Sequence, residues 1–260
     1  MFDEGSPTRQ RPVALVTGSA KRIGREIALR LARDGYNIAV HTAHSPQQAL
    51  ETAAEISVLG VDAEVFEADL ADENQCEELF PRIVRRFGRV DAIVNNACAF
   101  DYDNVGSLSY ARLTAHMNVN AGAALVLARR LHEHLTTAGQ RTGVVINMLD
   151  QRLWNPNPDY LSYALSKGAL ELLTRVLALE LAPTVRVVGV APGLTTGSDL
   201  IDDKHLTAMA SHALTRKLPT VQEVAATVSF AVSNQAFTGS TLMVDSGFHL
   251  NSMRRDFPFL

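Results

Sequence analysis

Residues 13–24, Val13-Ala14-Leu15-Val16-Thr17-Gly18-Ser19-Ala20-Lys21-Arg22-Ile23-Gly24, pass from a short apolar run through a glycine-bracketed turn into a helical pattern. The apolar run is too short for a helix and does not alternate, which suits a strand buried on both faces of a parallel sheet. The helical pattern from Arg22 to Arg33 is closed by Gly35, and Asn37 to His41 reads as a second strand. Strand, helix and strand together have the length that a right-handed crossover needs. The pattern then repeats: helix 46–59, strand 63–67, helix 73–87, strand 92–95, a long helix 111–135, strand 144–148, helix 160–181, strand 185–190, helix 221–232 and strand 241–244. Such alternation predicts an α/β fold, a single doubly wound domain with a seven-stranded parallel sheet and helices on both faces. Ligands bind such sheets at the carboxyl ends of the strands.

Working outward, the 260 residues divide into a flexible arm (1–11) and one domain (12–260), within which 194–215 is a candidate lid over the substrate. The stretch from Pro192 to Leu206 reads as a long loop with glycines at Gly193 and Gly197. A composition 47% hydrophobic and 20% charged suits a sizeable core. A net charge of −4 leaves no basic footprint, so neither nucleic acid nor an anionic membrane surface is an expected partner. No segment approaches the ~20 apolar residues of a membrane span. Cys76 and Cys98 lie in dissimilar surroundings, so no disulfide framework and no metal site is expected, and a cytoplasmic location fits.

The turn from Gly18 to Gly24 sits where a helix N-terminus presents free backbone N–H groups to a pyrophosphate. Lys21, Arg22 and Ile23 fall inside it, and two adjacent cations suit phosphate. The second strand ends in His41-Thr42-Ala43-His44-Ser45, with no carboxylate to accept from a ribose 2′-hydroxyl. That absence disfavours NAD, whereas hydroxyl and imidazole donors at His41, Thr42, His44 and Ser45 suit the 2′-phosphate of NADP(H). Asp69 and Leu70 after the third strand, and Asn96 and Ala97 after the fourth, fall on the same edge. Ordinary turn chemistry would also account for Asp69 and Asn96.

Tyr163 and Lys167 are four residues apart on one helix and share a face. An ammonium beside a phenol stabilises the phenolate and brings proton transfer nearer neutral pH. With Thr17-Gly18 to Gly24, Asn95-Asn96-Ala97, Asn120, Pro192-Gly193 and Thr238-Gly239 to Asp245, this ordered set resembles the short-chain dehydrogenase/reductase family over nearly the whole chain. The resemblance implies a Rossmann sheet, a nicotinamide cofactor held in part by Pro192 and Gly193, and a homotetramer. It also implies that Tyr163 donates a proton, that Lys167 lowers its pKa and binds the nicotinamide ribose, and that an asparagine supports a proton-relay water. Asn120 matches that asparagine best, with Asn118 the alternative.

Asp150 stands where most of the family carries a serine. With Lys21-Arg22 in the turn, Phe100 after Asn96-Ala97, and Tyr163-Ala164-Leu165-Ser166-Lys167, the chain resembles the pteridine reductase branch, which includes bacterial alternative dihydrofolate and dihydromonapterin reductases. A desolvated carboxylate thirteen residues before the tyrosine is suited to proton delivery to a ring nitrogen; its plainer reading is a cap on the following turn. The resemblance implies a substrate site of Arg22, Cys98, Phe100, Asp150, Tyr163 and Leu194, with Phe100 stacking on a pterin and Cys98 standing where the branch often has serine. The expected activity is NADPH-dependent reduction of a small-molecule dihydropterin or dihydrofolate. The alternatives are a ketone or 3-oxoacyl reductase of the same family and a non-catalytic NADP-binding protein.

Overall fold

Val13–Val16 is apolar without interruption because both of its faces are covered: Val13 and Leu15 turn toward one helical layer, Ala14 and Val16 toward the other. A computed structural model describes residues 11–139, 142–195, 203–251 and 253–259. The proposed arm lies outside these except for Arg11, as does 196–202 of the proposed lid.

The strands are β1 (Val13–Val16), β2 (Asn37–Thr42), β3 (Ala63–Glu67), β4 (Ala92–Asn95), β5 (Gly143–Met148), β6 (Val185–Pro192) and β7 (Thr241–Val244). They form one parallel sheet in the order β3-β2-β1-β4-β5-β6-β7. The chain reverses its direction of travel between β1 and β4, which opens a crevice at their carboxyl ends.

Helices α1 (Arg22–Arg33), α2 (Pro46–Val58) and α8 (Val221–Ser233) cover one face, where Ile27, Leu31, Ile56 and Val228 meet Ile38, Val40 and Ile146. The opposite face carries α3 (Glu73–Phe87), α5 (Ala123–Ala138) and α6 (Leu161–Glu180), with Leu79, Ile83, Leu127, Leu131 and Leu177 against Leu15, Ile93 and Val145. Local chemistry sets the ends of these helices. Asp72 caps α3 by accepting from the N–H groups of Asn74 and Gln75, and Gly88 closes it at φ +74°. Thr220 and Glu223 form a reciprocal capping box on α8.

Two elements differ from the sequence reading. The expected long helix is α4 (Tyr110–Met117) and α5 separated by a π-helical segment, Asn118–Gly122. Apolar periodicity survives a π turn, because one added residue leaves both flanking stripes in place. The loop expected to run to Leu206 is helical from Asp203, where α7 (Asp203–Ala210) begins. No helix among the described residues is long and apolar enough to cross a membrane.

Leu127 is fully buried between α3 and the sheet. Leu127→Ala is expected to destabilise the protein by about 2–5 kcal/mol, read as a lower urea midpoint with an unchanged circular dichroism spectrum.

Candidate active site

At the carboxyl edge of the sheet, the loops after β1 and β4 are laced together. Thr17 Oγ1 accepts from the N–H groups of Asn96 and Ala97, both at 2.9 Å, and donates to the Val94 carbonyl at 3.3 Å. Asn96 Nδ2 donates to the carbonyls of Thr17 and Gly18. The closeness of this contact is why the turn needs two glycines. A Cβ on Gly18 would lie 2.9 Å from Ala97 Cα, and one on Gly24 would lie 2.3 Å from the Gly18 carbonyl oxygen. Arg22 sits at φ +55°, a left-handed conformation that costs a non-glycine residue about 1–2 kcal/mol. Its backbone thus takes a conformation that favours glycine while keeping a cation at the turn. Helix α1 has no acidic residue in its first turn to offset its positive end.

A cavity of about 790 Å³ opens from this turn and runs along the sheet edge. Lys21, Arg22, Ile23 and Gly24 line it with Gly18; Thr42, His44 and Ser45 line it after β2, Asp69 and Leu70 after β3, Asn96 and Ala97 after β4, and Gly193 and Leu194 after β6. His41 also borders it but requires a correction. Its Nδ1 accepts from the Gly18 N–H at 3.0 Å and its Nε2 pairs with the Ala68 carbonyl at 3.1 Å. Both ring nitrogens are therefore engaged by backbone, and the imidazole buttresses the turn instead of offering a donor to phosphate. Burial pushes the His41 pKa down to about 4.

Cys98, Phe100, Asp150 and Tyr163 line the other end of the cavity. The Tyr163 hydroxyl donates to Asp150 Oδ2 at 2.7 Å. Asp150 Oδ1 accepts from the Arg152 N–H at 2.8 Å and caps the short 3₁₀ turn Gln151–Leu153. One oxygen thus serves the cap and the other serves the tyrosine. Lys167 lies behind Tyr163, with Nζ donating to the Met148 carbonyl at 2.6 Å and standing 5.8 Å from the Tyr163 ring centre. Burial and then the Asp150 carboxylate raise the Tyr163 pKa well above the usual phenol value, so with Lys167 behind it Tyr163 is still a neutral hydrogen-bond donor.

Asn120, 2% exposed, lies in the π-helical segment behind the cavity wall. Its Oδ1 accepts from the Ala99 N–H at 2.8 Å, and its Nδ2 donates to the Ala99 carbonyl and to Ser166 Oγ. Its side chain therefore positions the loop carrying Cys98 and Phe100. Asn118 is on the outside, reaching only the Ala71 carbonyl at 3.4 Å. Pro192, at the end of β6, is also behind the lining. Phe100 stacks on Tyr160 at 4.4 Å between ring centres and meets Tyr163 edge-on at 4.7 Å, leaving it 43% exposed.

Among the lining residues that sequence reasoning missed are Arg152, Tyr160, Asp256 and Phe257. Arg152 Nη2 donates to Asp256 Oδ2 at 2.7 Å, and its Nε stands 3.4 Å from Asp150 Oδ2. Burial works against its charge, but Asp150, Tyr163 and Asp256 hold the guanidinium protonated. Residues 253–259 fold onto the chain's own site, anchored where Asp159 accepts twice from Arg255 and once from the Asp256 N–H. Among the described residues no cluster of His, Cys, Asp or Glu is arranged to hold a metal.

The model of the enoyl-(acyl carrier protein) reductase family matches residues 18–249. The chain is 30% identical over 242 residues to the 3-oxoacyl-[acyl-carrier-protein] reductase FabG of Staphylococcus aureus (strain Mu50), covering 91% of this chain and 98% of that one. Among solved structures it is similar to FolM alternative dihydrofolate reductase 1 from Brucella suis in complex with NADP. That likeness has 34% identity and a TM-score of 0.85 and covers 92% of this chain and 96% of the other. It is also similar to acetoin dehydrogenase YohF from Salmonella typhimurium, with 29% identity and a TM-score of 0.84, covering 92% and 97%.

The buried His41 yields a pH prediction. Its folded-state pKa near 4 lies below the ordinary 6.5, so folding favours the neutral ring. The stability this contributes, roughly 3 kcal/mol, is complete above pH 6.5 and declines as pH falls toward 4. Urea midpoints measured from about pH 7 down to about pH 5 are expected to fall in the wild type and to fall less in His41→Gln. Equal slopes would remove His41 from the account.

Proposed function

Because the chain belongs to the short-chain dehydrogenase/reductase family, we propose that it is an NADPH-dependent oxidoreductase that reduces a dihydropterin or dihydrofolate at a C=N bond to the tetrahydro form. The observation that carries this reading is the 2.7 Å hydrogen bond from Tyr163 to Asp150, a carboxylate at a position where most of the family has a hydroxyl. The likeness to an NADP-bound alternative dihydrofolate reductase supports both the cofactor and the substrate class.

The residues present fit a phosphorylated dinucleotide. Gly18 and Gly24 leave the turn free of side chains, and the cavity volume is within the range of small-molecule sites. Lys21 and Arg22, with Thr42, His44 and Ser45, would hold the adenosine phosphate, and Asp69, Leu70, Asn96 and Ala97 would border the adenosine. Gly193 would border the nicotinamide end, backed by Pro192 and Lys167. When bound, the cofactor supplies the hydride.

The chain supplies the proton. Tyr163, held neutral by burial and by Asp150, would donate its hydroxyl proton to the ring nitrogen beside the carbon that is reduced. Lys167, 5.8 Å from the ring centre, would stabilise the phenolate as it forms. Asp150 keeps 20% of its side chain exposed and would return a proton from solvent to Tyr163. Phe100, half-exposed in the cavity, would stack on the pterin, with Arg22, Cys98 and Leu194 at its edge. Helix α7 follows Leu194 and would form part of a lid over 194–215. The reading includes a cytosolic homotetramer: Leu125, Leu165, Leu172 and Val176 expose apolar surface on α5 and α6 that a second copy would cover.

The likeness to FabG and to acetoin dehydrogenase favours a second reading, a carbonyl reductase. NADPH oxidation with dihydropterins and dihydrofolate beside a ketone panel separates the two. Turnover confined to pterins is expected, and turnover confined to ketones would overturn the substrate class. Tyr163→Phe and Asp150→Ser are each expected to lower pterin turnover by about 10²-fold or more without loss of NADPH binding. Full activity in Asp150→Ser would show that the carboxylate is incidental.

A further inference from the structure

The cavity wall opposite the phosphate turn is built from residues 104 positions apart. Arg152, on the turn after β5, donates through Nη2 to Asp256 of the terminal segment, and both groups are more than nine-tenths buried. The guanidinium also lies over three rings, 5.0 Å from the centre of Tyr163, 5.4 Å from Tyr160 and 5.5 Å from Phe100. Its orientation is therefore fixed by Asp256 on one side and by Asp150, at 3.4 Å, on the other. Three buried polar atoms on this wall, Arg152 Nε and Nη1 and the Tyr160 hydroxyl oxygen, have no hydrogen-bond partner among the described residues; Nε faces Asp150 as an ion pair at 3.4 Å, whereas Nη1 and the hydroxyl have no such neighbour. Burying such groups unpaired is unfavourable, and a ligand atom accepting from them would relieve it.

We propose that Arg152 is a substrate-binding residue whose Nη1, together with the Tyr160 hydroxyl, donates to a neutral acceptor of the substrate, and that Asp256 is the positioning residue that aims it. The acceptor is neutral because one guanidinium faces two carboxylates, Asp150 and Asp256; a substrate carboxylate here would meet an excess of negative charge. The inference deepens the pterin reading and rests on it for the identity of the acceptor, which would be the ring carbonyl or a ring nitrogen of an aminopyrimidinone. The terminal segment is thereby a working wall of the site. Its own anchor is the Arg255–Asp159 pair, at 2.8 and 2.9 Å, and Phe257 seats edge-on against Phe248 at 5.1 Å between ring centres.

Asp256→Asn is the test, measured with whichever substrate the wild type reduces. The expected result is a KM raised by about ten-fold with kcat and NADPH affinity each within about two-fold, and recovery of most of the KM in Asp256→Glu. Trp154 is the protein's single tryptophan and ends the turn that holds Arg152. Its emission in the NADP-loaded protein should therefore shift in Asp256→Asn, a readout that needs no turnover. An unchanged KM or unchanged emission would overturn the proposal, as would parallel losses of kcat and thermal stability without a change in KM. Failure of the pterin reading shows separately, as a wild type that reduces ketones and not pterins, and the Asp256 comparison is then read with the ketone.

Discussion

A single threonine hydroxyl ties the two halves of this site together. Thr17 Oγ1 accepts from two successive backbone N–H groups after β4 while donating back into the same strand. The loop that would cradle phosphate and the loop that carries Cys98 and Phe100 therefore cannot move apart. The rest is fitted to that closeness. Gly18 and Gly24 have no room for a Cβ, His41 fills the space beneath with both nitrogens spoken for, and Asn120 holds Ala99 from behind. A buried hydrogen-bonded network of this kind fixes one geometry because each unmade bond would leave a desolvated polar group.

At the other end of the cavity, charge sets the arrangement. Asp150, Arg152 and Asp256 form a carboxylate–guanidinium–carboxylate row, half-buried at Asp150 and buried at the other two, in which the central cation is paired on both sides. The guanidinium offsets part of the cost of desolvating a carboxylate beside Tyr163. The same carboxylate accepts from the phenol, so the group expected to ionise readily is held protonated. Lys167, with one donor on the Met148 carbonyl, does not reverse the direction of this shift.

Much of the fold was legible because its signals are local. Short apolar stretches, glycine stops and the alternation with helical stripes identified all seven strands, with boundaries that differ by at most two residues. The Tyr163–Lys167 spacing and the approach of Asp150 were readable for the same reason, since Asp150 follows β5 directly and the pair lies on the next α-helix. What stayed hidden depends on tertiary placement. The sequence around His41 does not say that its ring turns inward, and nothing near Arg152 points to a partner at Asp256. The direction in which Tyr163 shifts depends on burial, which no spacing encodes. The π-helical segment escaped notice because an added residue leaves the apolar stripes on either side intact.

That segment marks a choice between stability and use. Between Met117 and Ala123 the chain carries a π turn, with α4 then packing on α6 and α5 on α3. Removing one residue would heal the helix and satisfy its backbone better, and the chain would gain in ordinary helical terms. It would also rotate Asn120 off Ala99 and release the loop bearing Phe100. The turn is thus an irregularity retained against the grain of local stability, of the kind that selection keeps only where activity outweighs a tidier fold.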